Sequence, residues 1–426
     1  MGQRSIVMLC SLDTKASEAQ YLKDCIEKQG AKTVLIDIGY GYPAQMAADI
    51  SARQVAKAAG SDIDTIRDMK GSSEASTLMT KGAISQIFDL LEQKRCDGVI
   101  AFGGASNTTL STSIMKTLPF GIPKLMISSA AAMPAYSAMF FGSRDITIMH
   151  ATVDISGLND LTRAFLQRGA GAIYGMVACS DGPVEMSKDN KVVAVTSFRF
   201  AEGCCQAVMR ELERRGYVAI PFHAQGVGEN AMENLLAQGL FHGVIDVVPA
   251  GLSEQLLGGN RAARPDRLEG AGKAGIPQII ATSGFDMISC GPIERRDADD
   301  ALWKKRSLAS RQYVIPDRYR VEARTTAAEI VQIAECVAEK LNKATAPAAV
   351  MVPVLGWSSL SIKDTGLFNP EADAAFVPAL KSKLNPEIRV TEIDAELNSE
   401  KFAHALVDAL HAMIEAKTNN KAKDKT

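Results

Sequence analysis

The sequence predicts two α/β domains, each a mostly parallel, Rossmann-like sheet sandwiched by helices. Apolar strand candidates alternate with segments of helical periodicity through both halves of the chain. Each strand candidate is a continuous apolar run, which is typical of a strand buried on both faces. A polar stretch with glycine and proline interrupts the alternation at residues 179–190, after which the pattern begins again. We therefore expect domains at residues 1–178 and 191–420, joined by a linker at 179–190.

Composition excludes several classes of partner. The 426 residues include 47 Lys and Arg against 49 Asp and Glu, and the basic residues are dispersed, which argues against nucleic acid. No apolar run approaches the ~20 residues that a membrane helix needs. The eight cysteines form no CxxC metal pair, and the first residues enter a strand without the organisation of a signal peptide. We expect a cytoplasmic protein without a metal cluster whose partner is a small molecule.

The first strand candidate, residues 5–10, leads into a polar loop and then a helix that ends at Gly30. The loop carries Asp13, Thr14 and Lys15, at the carboxyl end of a strand, where open α/β sheets bind ligands. The alternative is that Asp13 or Thr14 only caps the helix. A second buried strand, residues 32–38, contains Asp37, which is placed to accept the hydroxyls of a ribose. A turn aspartate is the alternative reading of that residue.

The stretch from residue 97 to 112 predicts an anion site. A buried strand at 99–102 breaks at Gly103 and Gly104 and restarts as a helix. The start of a helix offers free N–H groups and the positive end of the macrodipole, so we expect an anionic group to bind there. The alternative is an ordinary strand-to-helix turn. The expected site also takes its polar side chains from this turn and from the loop after the next strand, 123–128: Ser106, Asn107, Thr108 and Ser129.

Further elements are expected at these positions. Helices are predicted at 51–70, 72–94, 156–176, 202–216, 229–239, 326–343 and 399–417. The remaining strands are predicted at 145–150, 192–197, 217–222, 243–248, 277–282, 348–353 and 387–393.

Residues 223–229 predict a second binding turn. His223 follows a strand and precedes Gly226 and Gly228, a position from which an imidazole can act as general base near neutral pH. The alternative is a histidine that is hydrogen-bonded to structure. Glu229 could act as its acid partner, or it could simply favour the helix dipole. Asp286 closes another strand end and is a candidate substrate contact.

The pair Cys204 and Cys205 begins a helix and could supply a thiolate. Packing as small apolar residues is the more common use of such cysteines.

Taken together, the motifs resemble those of the tomato mosaic virus resistance protein-like ATP-binding family, which has many uncharacterised bacterial relatives. The resemblance spans nearly the whole chain. It implies a two-domain α/β protein, a homodimer or higher oligomer, with ATP at the glycine turn of the first domain. The motifs that carry it are CSLDTKASEAQYLKD, VLIDIGY, LPFGIPKLMIS, RDITIMHATVDISGLN, RGYVAIPFHAQGVGENAME, RPDRLEGAGKAGIPQII, FDMISCGP and FNPEADAAF.

The chain departs from this family at its loops. Where the family has Gly-Gly-Ser-Gly-Gly-Thr, this chain has Gly-Gly-Ala-Ser-Asn-Thr at residues 103–108. The loop after 123–128 carries Met133, Tyr136, Met139, Phe140 and Phe141. These changes favour a different or narrower ligand on the same scaffold.

Two classes of function follow. The first is an enzyme that acts on a small anionic metabolite in a cleft between the domains, with or without a nucleotide, His223 facing the first-domain turn as its acid/base. A magnesium ion would then be held by nucleotide phosphates and a carboxylate such as Asp13. The second is a non-catalytic ATP-binding protein that regulates or sequesters a partner.

Overall fold

A computed structural model describes residues 3–69, 71–186 and 190–423. The chain divides into two compact units, residues 1–184 and 185–426. The expected two-domain α/β class is confirmed. The finer boundaries stay a prediction, since residues 187–189 of the predicted linker lie outside the described residues. The first part of the predicted linker packs on the N-terminal unit, where the N–H of Val184 donates to the carbonyl oxygen of Phe120 at 2.9 Å.

The N-terminal unit contains a five-stranded parallel sheet in the order β2-β1-β3-β4-β5. Its strands are β1 (Ser5–Cys10), β2 (Lys32–Asp37), β3 (Gly98–Gly103), β4 (Lys124–Ser128) and β5 (Thr147–His150). Its helices are α1 (Ala16–Glu27), α2 (Ala52–Ala58), α3 (Ile63–Asp68), α4 (Ser73–Glu92), α5 (Ala105–Met115), α6 (Ser137–Phe141) and α7 (Asp160–Ala178).

Two apolar clusters cover the two faces of this sheet. Side chains of α1 and α7 pack on one face, and side chains of α2 to α5 pack on the other. Strands β1 and β3 are buried from both sides, which explains their continuous apolar runs.

The single helix expected at 51–70 is wrong. Gly60 adopts a φ of +82°, which ends α2, and the carboxylate of Asp62 then caps α3 by accepting the N–H of Asp64. The last predicted position, Lys70, lies outside the described residues.

The C-terminal unit contains a six-stranded parallel sheet in the order β14-β13-β9-β8-β6-β7, and a small antiparallel sheet in the order β10-β12-β11. Its strands are β6 (Lys191–Ser197), β7 (Tyr217–His223), β8 (Gly243–Asp246), β9 (Gln278–Ile280), β10 (Met287–Ser289), β11 (Tyr313–Asp317), β12 (Arg320–Arg324), β13 (Ala348–Pro353) and β14 (Arg389–Ile393).

Helices also cover both faces of the six-stranded sheet. Side chains of α8 and α16 pack on one face, and those of α9, α13 and α15 pack on the other. The helices of this unit are α8 (Glu202–Arg214), α9 (Val227–Leu236), α10 (Ala250–Leu257), α11 (Gly270–Lys273), α12 (Ala301–Arg306), α13 (Ala327–Leu341), α14 (Pro370–Asp373), α15 (Phe376–Lys383) and α16 (Glu400–Lys423). Sequence reasoning missed the antiparallel sheet, because its strands are only three to five residues long.

Candidate functional site

The N-terminal sheet has a topological switch point between β1 and β3. The chain passes from β1 to β2 on one side and then crosses to β3 on the other side. In doubly wound sheets, ligands bind outside the carboxyl ends of the strands at such a point. Residues 11–15 follow β1, and Gly104 links β3 directly to α5. Both positions belong to segments of this unit that were predicted to bind.

The turn between β3 and α5 leaves the start of the helix open. Gly104 is the N-cap residue of α5, and no side chain caps this end. The first N–H groups of the helix therefore have no acceptor within the helix. A Cβ built at Gly103, whose φ is +150°, would lie 2.8 Å from the Cβ of Asn107, whereas one built at Gly104 would meet only the Oγ of Ser129, at 3.8 Å. Gly103 is thus required by the turn, and Gly104 borders open space.

Asn107 joins the two loops of the switch point. Its side-chain amide donates to the carbonyl oxygen of Phe102, and its Oδ1 accepts the hydroxyl of Ser11 at 3.2 Å. Thr108 is buried, and its hydroxyl is bonded to the carbonyl oxygen of Gly104 at 2.8 Å and to the Oγ of Ser128 at 2.7 Å. Thr108 therefore supports the turn from below, while Ser106 is exposed.

The two predicted carboxylates are bound to backbone. Oδ2 of Asp13 accepts the N–H groups of Gly41 at 2.9 Å and Tyr42 at 3.1 Å. Oδ1 of Asp37 accepts the N–H groups of Leu12 at 3.1 Å and Gly39 at 2.9 Å. Burial raises the pKa of the Asp37 carboxyl, although these N–H groups oppose the shift. The contacts of Asp37 are those of the turn-aspartate alternative. Asp13 does not cap α1 as its own alternative expected, since the N-cap residue is Lys15 and no side chain caps this helix.

Other predicted rim residues are also engaged within the unit. The ammonium of Lys15 donates to the carbonyl oxygen of Ile155 and lies 3.9 Å from Oε1 of Glu18. The Thr14 hydroxyl donates to Asp13 at 3.4 Å, and the Ser129 hydroxyl donates to Asp154 at 3.5 Å. The loop after β4 exposes large apolar side chains and buries only Phe140 among those predicted; the exposed ones are Met133, Tyr136, Met139 and Phe141.

In the C-terminal unit, a side chain of the protein occupies the starts of helices α9 and α10. The carboxylate of Glu229 is 0% exposed and accepts the N–H groups of Gly226 and Gly251, each at 2.9 Å. It also accepts the Nε of Arg267 at 2.9 Å. Three donors therefore converge on this carboxylate as they would on a bound anion. These contacts correct the expectation that Glu229 is the acid partner of His223, because all three hold it as a buried structural anion.

Arg267 is the centre of a buried charge cluster that sequence reasoning missed. Its side chain is 1% exposed and lies 3.1 Å from Glu233 and 2.6 Å from Asp246, in addition to Glu229. Burial raises the pKa of the Asp246 carboxyl, and Arg267 opposes the shift. Two glycines were the sequence signal for this cluster. A Cβ at Gly251 would come within 2.5 Å of Glu229, and one at Gly270, in the segment RPDRLEGAGKAG, would come within 2.1 Å of Glu233.

The two predicted glycines of the second turn serve packing. A Cβ at Gly226 would lie 2.5 Å from the carbonyl oxygen of Ala262, and one at Gly228 would lie 2.1 Å from that of His223. Asp286 is fully buried, and its carboxylate accepts the N–H of Gly284 at 3.0 Å and the hydroxyl of Ser358 at 2.7 Å. These contacts give the three residues structural roles and leave none of them facing a ligand.

His223 is the predicted site residue of this unit that stays open to solvent. It lies at the carboxyl end of β7, and its ring meets that of Phe198 edge-on, with centroids 5.4 Å apart. The guanidinium of Arg261 lies 4.9 Å from the centroid of the same Phe198 ring. Arg261 is paired with two buried carboxylates, Glu254 at 2.7 Å and Glu322 at 2.8 Å. The exposed His223 ring therefore packs on Phe198, which also lies against the charged cluster of Arg261.

Thiolate and metal chemistry find no support in this unit. Burial raises the pKa of Cys205 to about 11 and that of Cys204 well above its ordinary value, so both thiols stay protonated. In the part of the chain that the structure describes, no group of three or more His, Cys, Asp or Glu side chains could hold a metal ion.

Within the same described ranges, no helix is long and apolar enough to span a bilayer.

Comparison with known proteins assigns the chain to a family. The model of the Uncharacterised protein family (UPF0261) N-terminal domain matches residues 4–181, and that of its C-terminal domain matches residues 190–414. The chain belongs to the UPF0261 family. A UPF0261 protein of Clostridium tetani is 32% identical over 413 residues, which cover 97% of this chain and 99% of that protein.

A tomato relative matches over a shorter part of its length. The ToMV resistance protein Tm-1(GCR237) of Solanum lycopersicum is 30% identical over 353 residues, which cover 81% of this chain and 45% of that protein. The expected family is thus shown at the level of UPF0261, while binding of ATP is not.

Solved structures resemble the chain only weakly. A UDP-N-acetylglucosamine 2-epimerase from Rickettsia bellii is 9% identical with a TM-score of 0.24, over 66% of this chain and 79% of that one. The Methanocaldococcus jannaschii UDP-GlcNAc 2-epimerase is 8% identical with a TM-score of 0.22, over 66% of this chain and 83% of that one. Likeness at this level gives no indication of a ligand for this chain.

The charge cluster around Arg267 generates a stability prediction. Replacing Arg267→Met leaves three buried carboxylates without their cation, and we expect the free energy of unfolding to fall by about 3–5 kcal/mol. Urea denaturation followed by circular dichroism measures this. The matched control is Arg264→Met, since Arg264 pairs with Asp266 at a half-exposed position, and it should cost less than about 1 kcal/mol.

The same variant should respond to pH in a stated direction. Without Arg267, the folded-state pKa of the Asp246 carboxyl rises further above its unfolded value, so the folded state binds more protons. The stability deficit of the variant should therefore be smallest at low pH. It should grow as the pH rises from the folded-state pKa of Asp246 in the wild type to its higher value in the variant. A deficit equal to that of Arg264→Met at every pH would show that the cluster is not a constraint on the fold.

Proposed function

We propose that this protein binds a small anionic metabolite through the open start of α5 and that it acts on that metabolite as an enzyme. The observation that carries the proposal is the uncapped first turn of α5, behind Gly103 and Gly104, at the switch point of a parallel sheet. Ser106 adds an exposed hydroxyl at the same turn. A phosphate or a carboxylate satisfies these donors equally well.

The contrast between the two units supports this assignment. In the C-terminal unit, the N–H groups of Gly226 and Gly251 are satisfied by the side chain of Glu229. At α5, no side chain within residues 3–69 and 71–186 caps the first N–H groups. A ligand with an anionic group would supply the acceptor that the chain itself supplies elsewhere.

His223 is the proposed acid/base of the reaction. It is exposed at the carboxyl end of a parallel strand, whereas Glu229, the other predicted catalytic residue, is buried. Positioned proton transfer by a histidine contributes about 10²–10⁴-fold to a rate. The reaction class would be hydrolysis, elimination or ligation, each of which needs such a proton transfer.

ATP is one candidate for the anionic ligand, as the resemblance to the tomato resistance protein implies. The phosphates would be held by the N–H groups of Gly104 to Asn107, and the nucleotide would supply a leaving group or a regulatory signal. Magnesium would have to rely on the phosphates themselves, because the carboxylate of Asp13 is already held by two backbone N–H groups. The assembly of the protein into a homodimer or higher homo-oligomer is likewise a proposal.

The second candidate is a non-catalytic regulatory protein that binds ATP and sequesters a partner. One observation favours it: Glu229, the predicted acid partner, and Asp286, the predicted substrate contact, are both buried and hydrogen-bonded. A protein that only binds a ligand needs its anion site but no residue that transfers protons.

The anion site is tested by Gly104→Val. The new side chain enters open space at a φ of −83°, which valine adopts readily, so the fold should persist. We expect the affinity for inorganic phosphate, AMP and Mg-ATP, measured by isothermal titration calorimetry, to fall at least about tenfold. The valine side chain should displace the anion from one N–H group, and a hydrogen bond to a charged group is worth roughly 1.5–3 kcal/mol. The control is Thr109→Val on the exposed face of the same helix.

Equal affinities for the wild type, Gly104→Val and Thr109→Val would reduce the turn to an architectural feature. The same conclusion follows if the wild type binds none of the three probes.

Catalysis is tested by His223→Ala. Purified protein is incubated with a mixture of phosphorylated and carboxylated metabolites, and substrate loss is followed by mass spectrometry. We expect turnover by the wild type and a loss of about 10²–10⁴-fold in the variant, with an unchanged circular dichroism spectrum. The control is His404→Ala, an exposed histidine of α16 beside Glu400. Anion binding without any turnover would favour the regulatory candidate instead.

A further inference from the structure

A cavity of about 440 Å³ lies at the carboxyl ends of β13 and β14 in the C-terminal unit. Its volume is in the range of small-molecule sites. Most of its wall is apolar and comes from β13, the loop after β13, α14 and α15: Val352, Val354, Trp357, Pro370, Ala374, Val377 and Pro378. The anion site of the other unit has no part in it.

A carboxyl group projects into this apolar cavity from the end of α14. The side chain of Asp373 is 12% exposed, and its Oδ1 is paired with Arg324. Among the described residues, no hydrogen bond is recorded for its Oδ2. The motif FNPEADAAF holds this carboxyl in place, because the Oδ1 of Asn369 caps α14 by accepting the N–H of Ala372 at 3.1 Å, and Phe376 packs against Trp357.

The charge of Asp373 is only partly balanced. Arg324 divides its donors between Asp373, the carbonyl oxygen of Asp286 at 2.7 Å and that of Asn369 at 3.0 Å. Burial raises the pKa of the Asp373 carboxyl to about 7 in spite of this partner. The buried carboxylate would therefore gain from a second positive charge.

The other charged groups of the cavity are already matched. Nζ of Lys381 lies 3.7 Å from Oε1 of Glu392, and both side chains are about half exposed. This pair leaves the Asp373 carboxyl, whose partner Arg324 also serves two carbonyl oxygens, as the charge inside the apolar walls that can accept a further donor.

We propose that this cavity binds a small organic amine. The apolar body of the amine lies between Val352, Trp357 and Val377, and its N–H groups donate hydrogen bonds to the Asp373 carboxylate. A charged hydrogen bond to a partly desolvated carboxylate supplies orientation, and the apolar walls supply contact area. The site is independent of the proposed anion site, so either can fail without the other.

The test is binding of three amines to the full chain by isothermal titration calorimetry: benzylamine, phenethylamine and n-hexylamine. Each is paired with its neutral analogue, benzyl alcohol, phenethyl alcohol or n-hexanol. We expect at least one amine to bind at least about tenfold more tightly than its alcohol, the discrimination that a hydrogen bond between charged groups provides. Asp373→Asn should remove this discrimination, and Glu392→Gln, which removes the same charge at the mouth, should preserve it.

A second variant keeps the test decisive if Asp373→Asn fails to fold. Ala374 is exposed at the end of α14 and lines the cavity, so Ala374→Trp should fill it and abolish amine binding. Ser382→Trp places the same side chain on an exposed position of α15 outside the cavity and should leave binding unchanged. The proposal is overturned if no amine binds better than its alcohol, or if Ala374→Trp and Ser382→Trp bind the amine equally.

Discussion

The buried contact between Glu229 and Arg267 is the constraint on which the C-terminal unit depends. The carboxylate of Glu229 closes the starts of α9 and α10 at once, through the N–H groups of Gly226 and Gly251. Such a charge is tolerated in the core only because Arg267 and these donors surround it. Gly251 and Gly270 then follow as requirements, since any Cβ there would collide with the carboxylates of the cluster. The cluster of Glu229, Glu233 and Arg267 thus constrains the starts of two helices and the identity of two glycines.

The N-terminal unit handles the same problem in another way. Its switch point is held by neutral hydrogen bonds, in which Asn107 joins the loop after β3 to Ser11 in the loop after β1. Among the residues that the structure describes, no side chain caps the start of α5. The two units therefore share one architecture and differ in whether the chain supplies its own anion. This difference is the physical basis for proposing that a ligand binds in the first unit.

The sequence predicted the parallel sheets and the glycine turn before α5 because these leave local signals. Continuous apolar runs marked β1, β3 and β6, and paired glycines marked the turn before α5. The roles of the C-terminal residues left no local signal. A glutamate in the first turn of a helix looks the same whether it is solvated or buried, and the partner of Glu229 lies 38 residues away. Arg267 stands in a polar stretch typical of a surface, so its burial could not be predicted from pattern.

The claim that an anion binds at the start of α5 is tested most directly by amide NMR. Deuterated, ¹⁵N-labelled protein is titrated with inorganic phosphate and with Mg-ATP, and backbone N–H shifts are followed residue by residue. The account predicts saturable downfield shifts of the Ala105, Ser106 and Asn107 amides, with those of Gly226 and Gly251 unmoved because Glu229 already occupies them. Shifts confined to the C-terminal turn, or no saturable shift in the first turn of α5, would contradict it.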